Sequence, residues 1–366
     1  MREYFLICVV AAVVTYGTTP GVRRLAVLLG AATPVRARDV HTHPIPRLGG
    51  LAMLAGFVAA VLVAGKLPHL SQIFESPEIR GVLIGALLVT FVGALDDVRE
   101  LDWLTKLAGQ IIAAGAMAFF GVQLLSLPLF GVTVLPGPVL VGMTVLIVLV
   151  TTNAVNFIDG LDGLATGIVA IAALAFFLYA YQLSYTYDPP NVISTATFIT
   201  AATLGVCLGF LPHNFNPARL FMGDAGALLL GLLLAAATIS MVGNIDPSAQ
   251  VSRNAEVALY LPVVLPLAIM SIPLLDMTLA VVRRTRRGQR PWQPDAMHLQ
   301  HRMIAIGHSH RRAVLLLYLW AAIVAFGVTS FAFVDGLLPV VAIAVATAMA
   351  IVLTAYLPGW LDRRRA

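Results

Sequence analysis

Asparagine and aspartate recur at every third position in the segment TNAVNFIDGLDGLATG. They are Asn153, Asn156, Asp159 and Asp162. In helical or near-helical geometry these positions share one face, so we predict a single polar stripe at the end of an apolar run. Asn and Asp beside glycine are also typical of ordinary turns and caps. Two carboxylates with two carboxamides exceed what a cap needs, which favours a functional site.

Two further acidic elements border apolar runs. Asp96 and Asp97 follow one run directly, and adjacent carboxylates raise each other's cost of ionisation unless they share a cation or a proton. Because charged residues follow at once, a solvated helix end is an equal interpretation of this pair. Asp224 starts another run, in Phe221-Met222-Gly223-Asp224, with Asn214 ten positions earlier. Oxygen ligands of this kind suit Mg²⁺, which is commonly shared with substrate phosphates.

The segment 283–312 combines eight arginines with four histidines, groups that attract a diphosphate. We assign the arginines beside the preceding apolar run to membrane orientation; they are Arg283, Arg284, Arg286 and Arg287. Beyond a Pro-Trp-Gln-Pro turn, His298, His301 and Arg302 are predicted to contact substrate, and the roles of His308 and His310 stay open. For Arg47, in HTHPIPRLGG, contact with a phosphate and membrane anchoring are equal alternatives.

The chain that must position these motifs has 366 residues, of which 59% are hydrophobic and 11% charged. Soluble domains average about 25% charged residues, so a soluble globular enzyme is excluded and an all-α integral membrane protein is predicted. The net charge is +5, and the basic residues that produce it lie in short loops between apolar runs. Their placement therefore indicates membrane orientation and excludes nucleic-acid binding.

We predict a polytopic bundle of about eleven transmembrane helices. They cover about 4–19, 48–65, 81–95, 107–121, 138–152, 164–182, 194–211, 225–243, 256–281, 313–333 and 337–357. Sorting Lys and Arg by alternate loops puts 19 of the 23 on one side and leaves Arg2, Lys66, Arg80 and Arg253 on the other. By the positive-inside rule the N-terminus is outside and the C-terminus is cytoplasmic.

The same alternation of loops between the two sides of the membrane places every polar motif on the cytoplasmic side. We therefore predict one transmembrane catalytic domain, 1–366, whose active site consists of cytoplasmic loops. These loops lie near 39–50, 96–106, 153–163, 212–224 and 283–312. In the ninth run, a structural or snorkelling role is preferred for Asp276 over a place in the site. Pro262, Pro266 and Pro273 predict a bend in that helix.

Together the motifs resemble those of the polyprenyl-phosphate N-acetylhexosamine-1-phosphate transferases, glycosyltransferase family 4. The resemblance covers nearly the whole chain. It rests on IPRLGG at 45–50, the Asp96-Asp97 pair, NAVNFIDGLDGLATG at 153–167, NPARLFMGDAGALLLG at 216–231 and HLQHR at 298–302. IPRLGG and HLQH are similar to the bacterial UDP-N-acetylglucosamine branch. The family usually has histidine where this chain has Gln300, so Gln300 is given no role.

The resemblance implies transfer of N-acetylglucosamine 1-phosphate from UDP-N-acetylglucosamine to undecaprenyl or decaprenyl phosphate. The products would be UMP and a lipid-linked diphosphate sugar, in the first membrane step of a cell-envelope glycan. The implied cofactor is Mg²⁺, for which Mn²⁺ could substitute. The implied location is a bacterial plasma membrane with the active site facing the cytoplasm.

The resemblance also implies roles by motif position. Asp224 should bind the metal with Asn156, and Asp96 or Asp97 should deprotonate or orient the lipid phosphate. Asp162 and Phe221 fall where the family holds uridine. The other residues predicted at the substrate are Asn153, Asp159, Asn214, Arg47, and, facing the diphosphate, His298, His301 and Arg302.

Three alternatives stay open. The first is the same chemistry with UDP-N-acetylgalactosamine or UDP-N-acetylmuramoyl-pentapeptide as the donor. The second is a polytopic transporter, although transporters usually place polar groups near the bilayer midplane. The third, a CDP-alcohol phosphotransferase, has a longer acidic motif than Asp159 to Gly167 offers. Whether two chains pair as a homodimer is also open.

Overall fold

The structure is a computed structural model that describes residues 1–32, 44–124, 127–128, 132–133, 136–186, 194–243, 267–268, 270–288, 303–334 and 336–363. The helices in these ranges are α1 Arg2–Leu28, α2 Gly49–Ala64, α3 Glu78–Arg99, α4 Trp103–Phe119, α5 Gly137–Ile158, α6 Leu164–Thr186, α7 Thr195–Asn214, α8 Gly223–Gly243, α9 Ser271–Arg286, α10 His310–Ser330 and α11 Leu338–Arg363. A 3₁₀ helix covers Leu70–Phe74. The strands β1 Leu127–Pro128 and β2 Val132–Thr133 pair antiparallel.

The described helices are those of a multi-pass membrane protein, as predicted. Eight of them are long and apolar enough to cross a membrane, namely α1, α3, α5, α6, α7, α8, α10 and α11. The helices α2 and α4 are apolar but shorter. The helix α1 is longer than the first predicted span of about 4–19, because it continues through Pro20 to Leu28. Val22 and Ala26 pack in the core, and this packing stabilises the helix beyond the proline.

The most enclosed helix is α8, which contacts α2, α3, α5, α6 and α7. Every residue from 225 to 237 on it is buried. A helix that is apolar on all sides is expected in the interior of a bundle. In contrast, α11 packs on α10 and exposes apolar side chains such as Val341 and Val345. The start of α8 is therefore surrounded by the ends of several other helices.

Close helix approach at the start of α8 depends on two glycines. A Cβ on Gly50 of α2 would overlap the backbone nitrogen of Gly226, and a Cβ on Gly93 of α3 would lie 2.5 Å from the Cα of Ala225. Small residues let helix backbones approach closely within membranes. These contacts bring α2 and α3 against the first turn of α8, where Asp224 lies.

The predicted ninth span is described only in its second half, as α9. Pro262 and Pro266 lie outside the described residues, and Pro273 lies in the first turn of α9, where proline is tolerated. The side chain of Asp276 is 3% exposed. A snorkelling role for Asp276 is therefore wrong, since it is enclosed by protein.

Candidate active site

Four of the predicted loop regions meet around the start of α8. The residues before α2 pair with the residues before α8, since the Phe221 N–H donates to the Pro46 carbonyl at 2.9 Å. The Gly49 and Gly50 N–H groups donate back to the carbonyls of Phe221 and Met222, at 3.0 and 2.9 Å. This pairing places the IPRLGG loop, including the half-buried Arg47, beside the Phe221–Asp224 segment.

Asp224, the second residue of α8, is the centre of a charged cluster. Its Oδ1 accepts a hydrogen bond from Asn156 Nδ2 at 2.8 Å, and its Oδ2 is ion-paired with Lys106. Lys106 Nζ also lies 2.8 Å from Asp96 Oδ2. The side chains of Lys106, Asp96 and Asp224 are 22%, 15% and 19% exposed. We call Asp96, Lys106, Asn156 and Asp224 the Asp224 cluster; its carboxylates remain within reach of a ligand.

Asp97 holds the backbone at the start of α8. Its Oδ1 accepts from the Asp224 N–H at 2.9 Å and its Oδ2 from the Ala225 N–H at 3.1 Å. A carboxylate at a helix N-terminus satisfies unpaired N–H groups and opposes the helix dipole. That a cation or a proton is shared by Asp96 and Asp97 stays a prediction. Asp96 pairs with Lys106, whereas Asp97 is a cap for another helix.

The predicted stripe of four polar residues is interrupted at the end of α5. Asn153 and Asn156 lie on α5, which ends at Ile158, and Asp159 follows as its C-cap. Gly163 has φ +77°, a conformation that glycine adopts without strain and that does not continue a right-handed helix. A continuous helical stripe is therefore wrong, and Asp159 and Asp162 lie on a turn between α5 and α6.

Asp159 lies among charges of both signs. Burial raises the pKa of its carboxyl to about 7. The positive charge of Arg47 lowers this pKa, and the negative charges of Asp97 and Asp162 raise it. A pKa this far above the usual value of about 4 means that the loss of solvation outweighs the favourable effect of Arg47 at this end of α5.

Asn153 is engaged in the contact between α4 and α5. Its Nδ2 donates to Gln110 Oε1 and to the Leu149 carbonyl, each at 2.8 Å. Gln110 is 2% exposed and also accepts from Thr152 Oγ1 at 3.3 Å. In this arrangement Asn153 links two helices, one turn before Asn156.

Asp162 is the buried centre of a second cluster. Its carboxylate Oδ2 accepts from Asn216 Nδ2 at 3.0 Å and from the Ala218 N–H at 2.9 Å, and the residue is 2% exposed. Its own N–H donates to His310 Nε2 at 3.1 Å. Arg311 Nε donates to the carbonyl and the side-chain oxygen of Asn216, both at 3.2 Å. We call Asp162, Asn216, His310 and Arg311 the Asp162 cluster.

Asn214 lies beside the Asp162 cluster and is also buried, at 1% exposure. It accepts from Thr166 Oγ1 at 2.8 Å and donates to the Leu220 carbonyl at 3.1 Å. Both ends of its amide group therefore hold the loop between α7 and α8 against α6. The predicted diphosphate residues His298, His301 and Arg302 lie outside the described residues.

Sequence reasoning gave no functional role to Lys106, Asn216 or Arg311. For Lys106 a signal existed, because the chain has only two lysines against 21 arginines. For Arg284, the assignment to membrane orientation stays a prediction, and the structure adds a contact with the end of α5. The residue is 4% exposed, and its guanidinium carbon lies 5.3 Å from the centre of the Phe157 ring, one residue after Asn156.

Few of the described residues are placed to bind a metal ion. Within the described ranges, no three His, Cys, Asp or Glu side chains are placed to hold one. Mg²⁺ needs only one or two protein ligands when waters and substrate phosphates complete its shell. Asp224 and Asn156, already within hydrogen-bond distance, provide a carboxylate and a carboxamide. The Lys106 ammonium between Asp96 and Asp224 indicates that these two carboxylates require a cation. The donor set therefore fits Mg²⁺.

Comparisons with known proteins agree with the motifs. Residues 79–242 match the family model described as glycosyl transferase family 4. The chain is 44% identical to the decaprenyl-phosphate N-acetylglucosaminephosphotransferase of Mycolicibacterium smegmatis, over 97% of this chain and 88% of that protein.

Two more distant relatives carry other names. A probable undecaprenyl-phosphate N-acetylglucosaminyl 1-phosphate transferase of Bacillus subtilis is 33% identical, over 87% of this chain and 83% of the relative. A phospho-N-acetylmuramoyl-pentapeptide-transferase of Desulforudis audaxviator is 32% identical, over 76% of this chain and 81% of the relative. The resemblance inferred from the motifs is confirmed, and the chain belongs to glycosyl transferase family 4.

Proposed function

We propose that the protein transfers N-acetylglucosamine 1-phosphate from UDP-N-acetylglucosamine to a polyprenyl phosphate. An oxygen of the lipid phosphate forms a bond to the sugar-bearing phosphorus, the bond from that phosphorus to UMP breaks, and UMP leaves. The observation that carries this proposal is the Asp224 cluster, in which Lys106 and Asn156 flank one carboxylate at the start of α8. Phosphoryl transfer depends mainly on positioning and on neutralising oxygen charge, and this cluster offers both.

The described geometry supports different roles for the two adjacent aspartates. Asp96 is partly exposed and paired with Lys106, so we assign it to the incoming lipid phosphate, as base or as orienting group. Both oxygens of Asp97 accept backbone N–H groups of α8. We assign Asp97 to holding Asp224 in place, and Lys106 to neutralising the donor phosphates.

Mg²⁺ is the proposed cofactor, held by Asp224 with Asn156, and Mn²⁺ could substitute. When bound, the ion would withdraw charge from the phosphate oxygens and orient them. Lys106 would then exchange its contact with Asp224 for a contact with phosphate. Asp159 and Arg47 would be the other charged side chains that line the site. We propose that the diphosphate is faced by His298, His301 and Arg302.

The proposed donor follows from the names of the relatives. The protein at 44% identity is named for N-acetylglucosamine, whereas the one named for N-acetylmuramoyl-pentapeptide is 32% identical. We propose that Asp162 and Phe221 form the uridine position, with Asp162 holding the two loops that flank it. The name of the mycobacterial relative also supports decaprenyl phosphate as the acceptor, with undecaprenyl phosphate as the alternative.

We further propose eleven membrane spans in one catalytic domain, with the N-terminus outside and the active site facing the cytoplasm of a bacterial cell. Support comes from the Lys and Arg distribution, 19 on one side and four on the other. The Asp224 and Asp162 clusters also lie at helix ends on the side that this distribution assigns to the cytoplasm. Labelling of single cysteines at residues 69 and 100 from outside intact cells tests it: only residue 69 should react.

The deciding experiment measures UMP release by the purified full-length protein. Polyprenyl phosphate is supplied with UDP-N-acetylglucosamine, UDP-N-acetylgalactosamine or UDP-N-acetylmuramoyl-pentapeptide, each with Mg²⁺ or with EDTA. We expect release from the first donor only, and only with Mg²⁺ and lipid present. Release with another donor would replace the substrate assignment. No release from folded protein with any donor would contradict the enzyme proposal, and a flux assay in proteoliposomes would then test transport.

A further inference from the structure

The turn that carries Asp162 is held largely by a helix far along the chain. Three consecutive groups of this turn are engaged: the Asp162 N–H by His310 Nε2, the Asp162 carboxylate by the 216–218 loop, and the Gly163 carbonyl by the hydroxyl of Tyr318. The first and third partners belong to α10. His310 and Tyr318 are separated by about two helical turns, so both can face α6.

A second glycine of the same motif, Gly167, lets α10 pack closely against α6. A Cβ on Gly167 would overlap the Tyr318 ring, so any other residue there would push α10 off the turn. Gly163, with φ +77°, gives the turn the shape that exposes its carbonyl to Tyr318. The two glycines therefore make the contact between the turn and α10 possible.

Arg311 extends this contact to the second loop. Its Nε donates to both the carbonyl and the side-chain oxygen of Asn216, and Asn216 in turn donates to Asp162. The first two residues of α10 thus bind both loops that flank the proposed uridine position, one through His310 and one through Arg311. The 212–224 segment that receives Arg311 also carries Phe221.

We infer that His310 and Arg311 are positioning residues for the nucleotide donor, acting through Asp162 and Asn216. This inference rests on the proposed function and adds a role for the start of α10. Without an acceptor at position 310 the Asp162 N–H loses this hydrogen bond, and the turn that carries it loses one of its two contacts with α10. This loss would displace both loops and weaken donor binding, whereas the Asp224 cluster would keep its own contacts.

The test separates donor binding from turnover. In His310→Leu we expect the KM for UDP-N-acetylglucosamine and the Kd for UMP to rise about tenfold, the value of one lost hydrogen bond. The kcat and the KM for the lipid should stay within about twofold of the unsubstituted protein. His310→Gln should restore donor binding, because its side-chain oxygen can accept the Asp162 N–H.

A matched control lies two residues earlier. His308 is buried, and its Nε2 bonds the Thr354 carbonyl on α11, away from both loops. His308→Leu should lower thermal stability and leave the KM for the donor unchanged. If His310→Leu does not fold, Arg311→Gln provides the same test, since Arg311 is exposed; we expect its donor KM to rise about threefold.

Each outcome is decisive. An unchanged Kd for UMP in His310→Leu and Arg311→Gln, or an equal rise in both KM values, would overturn the positioning role, as would failure of glutamine to restore binding. Such results would leave the proposed function intact if the unsubstituted protein releases UMP. Conversely, unsubstituted protein that binds UMP but transfers nothing would contradict the proposed reaction, and UMP binding by the variants would still test the inference.

Discussion

The Asp224 cluster and the Asp162 cluster use the same residue types in opposite ways. Around Asp224 the partners are side chains of α3, α4 and α5, two of them charged, and the carboxylates stay 15–19% exposed. Around Asp162 most partners are backbone or amide groups, and the residue is 2% exposed. The first arrangement can exchange partners with a ligand, whereas the second is satisfied by the fold.

The difference follows from how each aspartate is anchored. Asp224 is held through its backbone N–H by Asp97, so its side chain does not have to stabilise the start of α8. The side chain of Asp162, in contrast, is engaged in holding the 216–218 loop. The Asp224 carboxylate is thus available for chemistry, whereas the Asp162 carboxylate is occupied by the adjacent loop.

The largest expected effect comes from removing the charge of Asp224. Asp224→Asn should lower UMP release at least about a thousandfold, because the amide cannot replace a carboxylate ligand, while folding is retained. The measurement is kcat/KM in detergent with a thermal melt of the same sample. Asp102→Asn is the control, since Asp102 is exposed and asparagine caps α4 as well as aspartate does. Comparable rates in the two variants would contradict the role of Asp224.

Substitution of Lys106 tests whether the Asp224 cluster binds a cation. Lys106→Met should reduce kcat about a hundredfold by removing a charge from the phosphates. It should also lower the Mg²⁺ concentration for half-maximal rate, because the ammonium no longer competes for Asp96 and Asp224. Titration of Mg²⁺ measures both effects, with the exposed Lys66→Met as the matched control. A raised Mg²⁺ requirement would mean that Lys106 assists the metal and does not compete with it.

Substitution of Asp162 should lower the stability of the protein, whereas substitution of Asp224 should lower its activity alone. Asp162→Ala removes the acceptor of two hydrogen bonds, so we expect a loss of about 2 kcal/mol in unfolding free energy, together with weaker donor binding. The check is a denaturation series alongside Asp224→Asn, which should melt like the unsubstituted protein. If Asp162→Ala retained full stability, the description of this cluster as structural would fail.

The smallest effect concerns pH and Asp159. Its pKa of about 7 in the fold exceeds the unfolded value of about 4, so the folded protein binds a proton that the unfolded chain releases between these values. Stability should therefore fall as pH rises from about 4 to about 7. Asp159→Asn should remove this slope, and its melting temperature relative to the unsubstituted protein should rise by about 2 °C between pH 5 and pH 8. Parallel pH profiles would contradict the shifted pKa.

Much of the fold class could be predicted because it depends on composition along the chain. Hydropathy alone predicts membrane helices, since a bilayer accepts only segments whose backbone groups are satisfied internally. The extension of α1 beyond the apolar run was not predicted, because packing of Val22 and Ala26 is a property of the assembled bundle. The break in the Asn153 to Asp162 stripe was likewise missed, because a period of three is compatible with both a helix and a turn.

The sequence by itself determined the family and the residue types of the site, because motifs such as NAVNFIDGLDGLATG are specific when read together. Only the tertiary structure separated Asp96 from Asp97, recruited Lys106, and connected His310 to Asp162. These assignments depend on which helix end meets which loop. Adjacent aspartates on a helix point in different directions, and residues 148 positions apart become partners only when the helices pack.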